Sequence, residues 1–183
     1  MASDSKAKHP VGATEKSIRI LEALKKLDGA GVTELAEELG YSKGTVHNHL
    51  STLEENEFVI KNGSTYRISL RFLTLGEYAR LQTPLLEVAR PEIDALAEET
   101  GEIANLLVEE HGRGIYFSIS RGENAVNLDT YVGTRQYLHT SAVGKAILAH
   151  MTDKRFEEVI ERQSSGCGQC YGTVDSDEGK PLP

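Results

Sequence analysis

Between residues 43 and 56 the chain reads KGTVHNHLSTLEEN, and its side chains fall into two sets. Val46, Leu50 and Leu53 recur at helical spacing and predict a buried stripe. Lys43, Thr45, His47, Asn48, His49 and Thr52 remain for the other faces, with Ser42 just ahead of them. Short hydrogen-bonding side chains and a lysine can reach the base edges and phosphate oxygens of a duplex. A helix face that meets only water more often carries Glu–Lys pairs. The chemistry this pattern suits is recognition of double-stranded DNA.

Other chemistries find less support. His47 and His49 are two residues apart on a helix and point to different faces, so they cannot share a metal. His111 falls in a turn, and His139 and His150 bracket a helix with no motif between them. Cys167 and Cys170 form one CxxC, which supplies only half a structural zinc site. It sits in SSGCGQCYG, without the strand and helix a redox pair would use. Lys145 in AVGKA lacks the full phosphate-loop spacing, and no Ser-His-Asp or paired-carboxylate arrangement stands out. The expectation is a protein that is not an enzyme, with no metal site and no cofactor.

The elements that must hold the residue 43–56 segment are legible upstream and downstream. TEKSIRILEALKKL from Thr14 places Ile18, Leu21, Leu24 and Leu27 at helical spacing, and Asp28-Gly29 stops it. A second helix opens at Val32-Thr33 with Thr33 as its cap, buries Leu35, Ala36 and Leu39, and ends at Gly40. A short turn then leads into the third helix, which gives a helix-turn-helix. Behind it, Phe58–Lys61 and Thr65–Leu70 alternate as strands around Asn62-Gly63, a strong hairpin signal. A helix-turn-helix closed by a hairpin is a winged helix. The plain alternative is a three-helix bundle with a hairpin and no DNA role.

A further helix with apolar spacing through Phe72, Leu73, Leu75, Tyr78, Ala79 and Leu81 reads as a linker over residues 71–83, whose apolar face needs a partner. A second copy of the same helix is the natural candidate. Pro84 and Pro91 mark the change to another helix, Leu85–Thr100. The period then becomes two: Ile103–Glu110, Ile115–Ser120 and Ala125–Val132 read as strands, with His111-Gly112-Arg113-Gly114 as the first turn. Ser141 caps a helix AVGKAILAHM, and another runs from about Thr152 to Gln163. This half is α+β with an antiparallel sheet. Residues 1–13 and 164–183 read as disordered ends.

The formal net charge of −8 argues at first against a nucleic-acid partner. Residues 1–70 hold nine Lys and Arg against ten Asp and Glu, a net of −1, and residues 71–183 hold eleven against eighteen, a net of −7. The acid therefore lies mainly outside the helix-turn-helix. Surface carboxylate in excess also suits a salt-rich cytoplasm, where base contacts and DNA shape would carry more of the binding. No apolar run approaches the roughly 18 residues of a membrane span, and MASDSKAKHP lacks the apolar stretch of a secretory signal. A cytoplasmic location is expected.

Two blocks together resemble a known family. TEKSIRILEAL with VTELAEELGYSKGTVHNHLSTLEENEFV resembles the winged helix of IclR-type transcriptional regulators, and YLHTSAVGKAILAH resembles a block of that family's effector-binding domain. The resemblance covers roughly residues 14–163. It implies a homodimer or tetramer on a palindromic operator, with binding altered by a small metabolite. It also implies a GAF/PAS-like α/β fold for the second domain. Ser42, Lys43, Thr45, His47, Asn48 and His49 match the recognition helix; at Asn48 much of the family has Arg, and Asn favours adenine where Arg favours guanine. The resemblance also implies backbone or minor-groove contacts from the wing, Lys61 to Arg67, with Lys61, Tyr66 and Arg67 as its DNA-binding residues. Ser141, Ala142, Val143 and Gly144 match the block lining the effector pocket, where a capped helix start suits an anionic ligand.

The layout expected is thus a winged helix over residues 14–70, a linker helix over 71–83 and a partial effector-binding domain over 84–163. The family's later strands have no counterpart after Ser164, so a truncated or frameshifted gene with an incomplete pocket is expected. The rival readings are a DNA-binding fragment that senses nothing and a CxxC metal or thiol protein.

Overall fold

The computed structural model describes residues 9–127 and 130–165. The chain divides into two compact units, one running to Thr83 and the other from Pro84 onward.

In the first unit, α1 spans Gly12–Lys26, α2 Val32–Leu39 and α3 Lys43–Glu55. Asp28 and Gly29 take positive φ and end α1, and Gly40, at φ 65°, ends α2 in the left-handed conformation a glycine adopts without strain. The strands β1 (Ala30–Gly31), β2 (Val59–Asn62) and β3 (Thr65–Ile68) form an antiparallel sheet in the order β1-β3-β2. Ile20 and Leu24 of α1, Leu35 of α2, Val46 and Leu50 of α3, and Val59 and Tyr66 of the hairpin make one buried cluster. A linker helix, α4, spans Arg71–Leu81 and has no buried residue. Leu73, Tyr78 and Leu81 are each about two thirds exposed, so its apolar pattern has no covering surface within this unit.

In the second unit, α5 (Leu85–Thr100) precedes β4 (Ile103–Glu110), β5 (Arg113–Arg121) and β6 (Arg135–Tyr137), an antiparallel sheet in that order. A 3-10 turn over Leu138–Thr140 leads into α6 (Ala142–Ala149), and α7 spans Asp153–Ser165. Alternation along β4 divides its side chains between two layers. Ala104 and Leu106 meet Ile93 and Ala97 of α5, whereas Leu107 joins Leu138 and Val159 with Val143 and Ile147. The β4–β5 turn is His111-Gly112, both at positive φ as a two-residue hairpin loop requires. Glu109 holds this turn to α7. Its carboxylate accepts from Gly112 N at 2.7 Å and from Arg155 Nη2 at 2.8 and 3.1 Å. The hydrogen bonds to Glu109, then those to Glu158, raise the Arg155 pKa further above its ordinary value.

Three details differ from the sequence reading. Thr33 is not the cap of α2; Gly31 holds that place with no side-chain hydrogen bond, and Thr33 is an exposed first-turn residue. In the wing, Asn62 pairs with Thr65, so the two-residue loop is Gly63-Ser64 instead of Asn62-Gly63. Gly63 still supplies the positive φ, but the register sets its position one residue earlier in the loop. The strand expected at Ala125–Val132 is absent from its described residues; the third strand is Arg135–Tyr137, pairing with Arg113–Ile115. Alternating apolar residues predict a strand only if a neighbouring edge offers backbone partners. Pro91 lies inside α5 on its exposed side, where water can take the carbonyl left without its amide.

Since Leu50 is fully buried at the centre of the first unit, Leu50→Ala is expected to cost about 2–5 kcal/mol. Denaturant unfolding monitored by circular dichroism checks this, and a loss below about 1 kcal/mol would contradict the packing described.

Candidate nucleic-acid interface

The direction in which α3 points is set by what it buries. With Val46 and Leu50 at zero exposure, the opposite side of a 3.6-residue helix must face out. Gly44, Asn48, Ser51 and Glu55 project from that side, with His47 at its edge and Lys43 in the first turn, and all six are exposed. Ser42 begins the helix: its Oγ accepts from Thr45 N at 3.1 Å, a capping bond that satisfies one orphan amide. This end of α3 therefore presents a lysine, a histidine and an amide side chain, with no carboxylate in its first turn. Glu54 and Glu55 stand exposed at the other end. A polyanion is attracted to the first half of this helix and repelled by the second.

Not every residue expected at this surface is free to face outward. Thr45 Oγ1 lies 2.8 Å from Ser42 Oγ, completing the cap. His49 turns back to α1, where its Nδ1 lies 2.8 Å from Ser17 Oγ in a half-buried hydrogen bond. Thr52 Oγ1 donates to the Asn48 carbonyl at 3.0 Å. Tyr66, at 2% exposed, is a core residue of the first unit and no wing contact. The tyrosine alternates inward on β3, between Thr65 and Arg67, and its ring carries Lys61 Nζ 5.3 Å from the centroid. Lys61 and Arg67 remain exposed on the wing. Arg67 Nη2 donates to the Asn62 side-chain oxygen at 2.8 Å once that amide is turned to pair both its ends. Thr33 lies apart from α3, in the first turn of α2.

Sequence reasoning passed over Ser51, which the four-residue spacing from His47 could have found. It also passed over Lys16 and Arg19 on α1 and Tyr41 before α3. Nothing in the linear pattern joins these three; the turn after α2 does. Arg19 Nη1 donates to Tyr41 Oη at 3.1 Å, and Lys16 Nζ lies 5.9 Å from the centre of the same ring.

The cations of this unit separate into two groups. Lys26 pairs with Glu38, Arg71 with Glu57 and Arg80 with Glu77. Among the described residues, Lys16, Arg19, Lys43, Lys61 and Arg67 have no carboxylate within ion-pair distance. The nearly even charge balance of the first seventy residues thus leaves cations without an ion-pair partner among the described residues on α1, at the start of α3 and on the wing.

In the second unit, Ser141 caps α6 by accepting from Gly144 N at 3.1 Å. Gln136 Nε2 donates to the same Ser141 Oγ at 2.8 Å, and Tyr116 Oη donates to Gln136 Oε1 at 3.3 Å. Ala142 is exposed, while Val143 packs on the Leu107–Leu138–Val159 cluster. Gly144 is buried where a Cβ would collide with the Leu138 carbonyl, so this glycine is required by the close approach of α6 to the preceding turn. Among the described residues no group of three or more His, Cys, Asp or Glu could hold a metal. Cys167 and Cys170 lie outside the described residues.

The two units have separate counterparts among known proteins. Residues 13–63 match the IclR helix-turn-helix domain, and residues 79–167 match the domain described as bacterial transcriptional regulator IclR C-terminal. This chain belongs to the IclR family of transcriptional regulators. It is 36% identical over 154 residues to a probable HTH-type regulator, ArcR, of Halobacterium salinarum, across 82% of this chain and 59% of that one. It is 28% identical to the regulator KdgR of Escherichia coli, across 88% of this chain and 63% of the other. An IclR regulator from Alicyclobacillus acidocaldarius superposes with a TM-score of 0.66 at 26% identity, covering 83% of this chain and 63% of that structure. An IclR homologue from Microbacterium hydrocarbonoxydans, solved with 4-hydroxybenzoate, gives a TM-score of 0.68 at 21% identity over 81% and 62%. The IclR-type chain thus spans about three fifths of the length of these relatives. Its α+β fold of winged helix, linker helix and C-terminal α/β unit is the family's fold.

Removing the Ser42 hydroxyl in Ser42→Ala should destabilise the first unit by about 1 kcal/mol through loss of the cap. Asn48→Ala, on the exposed face, should stay within about 0.5 kcal/mol. Equal effects of the two on a thermal or denaturant midpoint would contradict the division between capping and outward-facing residues.

Proposed function

We propose that this chain is a sequence-specific DNA-binding transcriptional regulator that enters a major groove with the N-terminal half of α3. One observation carries the reading: the outer face of α3 presents Lys43, His47, Asn48 and Ser51 to solvent while Val46 and Leu50 lock its inner face. Asn48 can read adenine through two hydrogen bonds, and His47 beside it and Ser51 about one turn further on can pair with neighbouring base edges. Lys43 and the wing cations Lys61 and Arg67 then contact backbone phosphates, which fix register without reading sequence. Ser42 and Thr45 hold the first turn of α3, and His49 ties the helix to α1 through Ser17, from positions beside the base-reading residues.

We further propose that the chain acts as a homodimer or tetramer on a palindromic operator. The uncovered Leu73, Tyr78 and Leu81 of α4 support pairing of this helix with a second copy, because apolar side chains this exposed gain from burial. The C-terminal unit is proposed to respond to a small organic metabolite near Ser141. Family membership supports this, as does the presence of 4-hydroxybenzoate in one structural neighbour. Among the described residues no helix is long and apolar enough to cross a membrane. A regulator of this kind works in the cytoplasm, where its operator is.

Selection of bound duplexes from a random pool should yield an enriched, two-fold symmetric site. On that site, Asn48→Ala with His47→Ala is expected to lower the preference over unrelated DNA by about 1–3 kcal/mol per lost base contact. Unchanged discrimination would exclude α3 as the reading element. For the oligomer, Leu73→Glu with Leu81→Glu should convert a dimer to a monomer in sedimentation; a dimer that persists places its interface elsewhere.

A further inference from the structure

Beside the start of α3, the first unit carries a small cationic seat that base reading does not use. Lys16 and Arg19 stand three residues apart on α1 and so project from the same side of it. Tyr41 reaches them from the turn between α2 and α3. Its backbone is held by the bond from Tyr41 N to the Ala36 carbonyl and by the left-handed Gly40, and its ring packs against the core of the unit. The Arg19 guanidinium carbon lies 5.7 Å from the ring centre while Nη1 donates to the hydroxyl, and the Lys16 ammonium lies 5.9 Å from the same ring.

Two cations have thus been gathered on one aromatic side chain, against their mutual repulsion. No carboxylate among the described residues lies within ion-pair distance of either. Lys26, at the far end of the same helix, is by contrast neutralised by Glu38. Cations held together and left uncompensated suit a dianionic or polyanionic partner. Tyr41 immediately precedes Ser42, the cap of the recognition helix, so the seat and the base-reading face share one rigid frame.

We propose that Lys16, Arg19 and Tyr41 form a phosphate seat that clamps the DNA backbone at the edge of the groove entered by α3. This rests on the DNA-binding reading above and adds to it a second, sequence-independent point of attachment. Arg19 supplies a planar fork for two phosphate oxygens, Lys16 a mobile point charge, and Tyr41 the surface that orients both. The phenol limits the rotamers of Arg19 before DNA arrives, so less freedom is lost on contact. A seat of this kind gives affinity and orientation at every sequence and discriminates between none.

The test uses the full chain and its selected duplex, with fluorescence anisotropy across a salt series. Each cation contributing a phosphate contact should account for about 0.9 in the slope of log affinity against log salt. Lys16→Gln and Arg19→Gln should each lower the slope by about one, and the double variant by about two. Discrimination against a mismatched duplex should be unchanged, and Lys26→Gln, which removes a cation already paired, should leave the slope as it is. Tyr41→Phe keeps the ring but not the hydroxyl, and should weaken binding several-fold with the slope retained. A double variant with matched unfolding midpoint and unaltered slope would overturn the seat while leaving the regulator reading intact. So would a double variant that loses base discrimination instead of slope. An unmodified chain that prefers no duplex over random DNA would overturn both.

Discussion

The first unit depends on the seating of one short helix. Val46 and Leu50 leave α3 no rotational freedom, because Ile20, Leu24 and Leu35 close around them in a cluster with no exposed members. Turning α3 by a quarter would expose these side chains and bury Lys43 or Asn48 without partners, and both changes are costly. The outward face is therefore a by-product of core packing. Its chemistry is set by whichever residues fall at the remaining positions, and those are short, polar and free of acid over the first two turns.

Electrostatics then act on that fixed frame. A chain with a net charge of −8 is not an obvious partner for a polyanion. What matters within a Debye length is the local field, and pairing shapes it. Lys26, Arg71 and Arg80 are spent on neighbouring carboxylates, whereas Lys16, Arg19, Lys43, Lys61 and Arg67 have no ion-pair partner among the described residues. Glu54 and Glu55 add a directional element, since they place negative charge at the C-terminal end of α3.

The second unit is held by a different kind of constraint. Its sheet has three strands among the described residues, and helices sit on both of its faces. The closest approach, α6 against the turn before it, is possible only because residue 144 is glycine. The polar chain Tyr116–Gln136–Ser141 ties β5, β6 and the start of α6 together. The Arg155–Glu109 pair, partly shielded from solvent, ties the hairpin turn to α7. The glycine contact and the polar chain fix the start of α6 against the sheet.

The sequence by itself determined the local elements of this IclR-type protein. Helical periodicity marked α1 to α3, Gly40 and Asp28-Gly29 marked their ends, and alternation marked β4 and β5, since these signals need only neighbouring residues. Ser42 and Ser141 were legible as residues at helix starts for the same reason. What the tertiary structure decided was where polar side chains spend their hydrogen bonds and which strand finds an edge. Tyr66 went to the core, His49 to Ser17 and Thr45 to Ser42, while Ser51 stayed exposed and Arg19 met the half-buried Tyr41. The described residues of 125–132 form no strand, and Arg135–Tyr137 takes the sheet edge instead. Each of these outcomes turns on a partner distant in sequence, and a hydrogen bond or a packed ring is assigned only when the chain has brought that partner within reach.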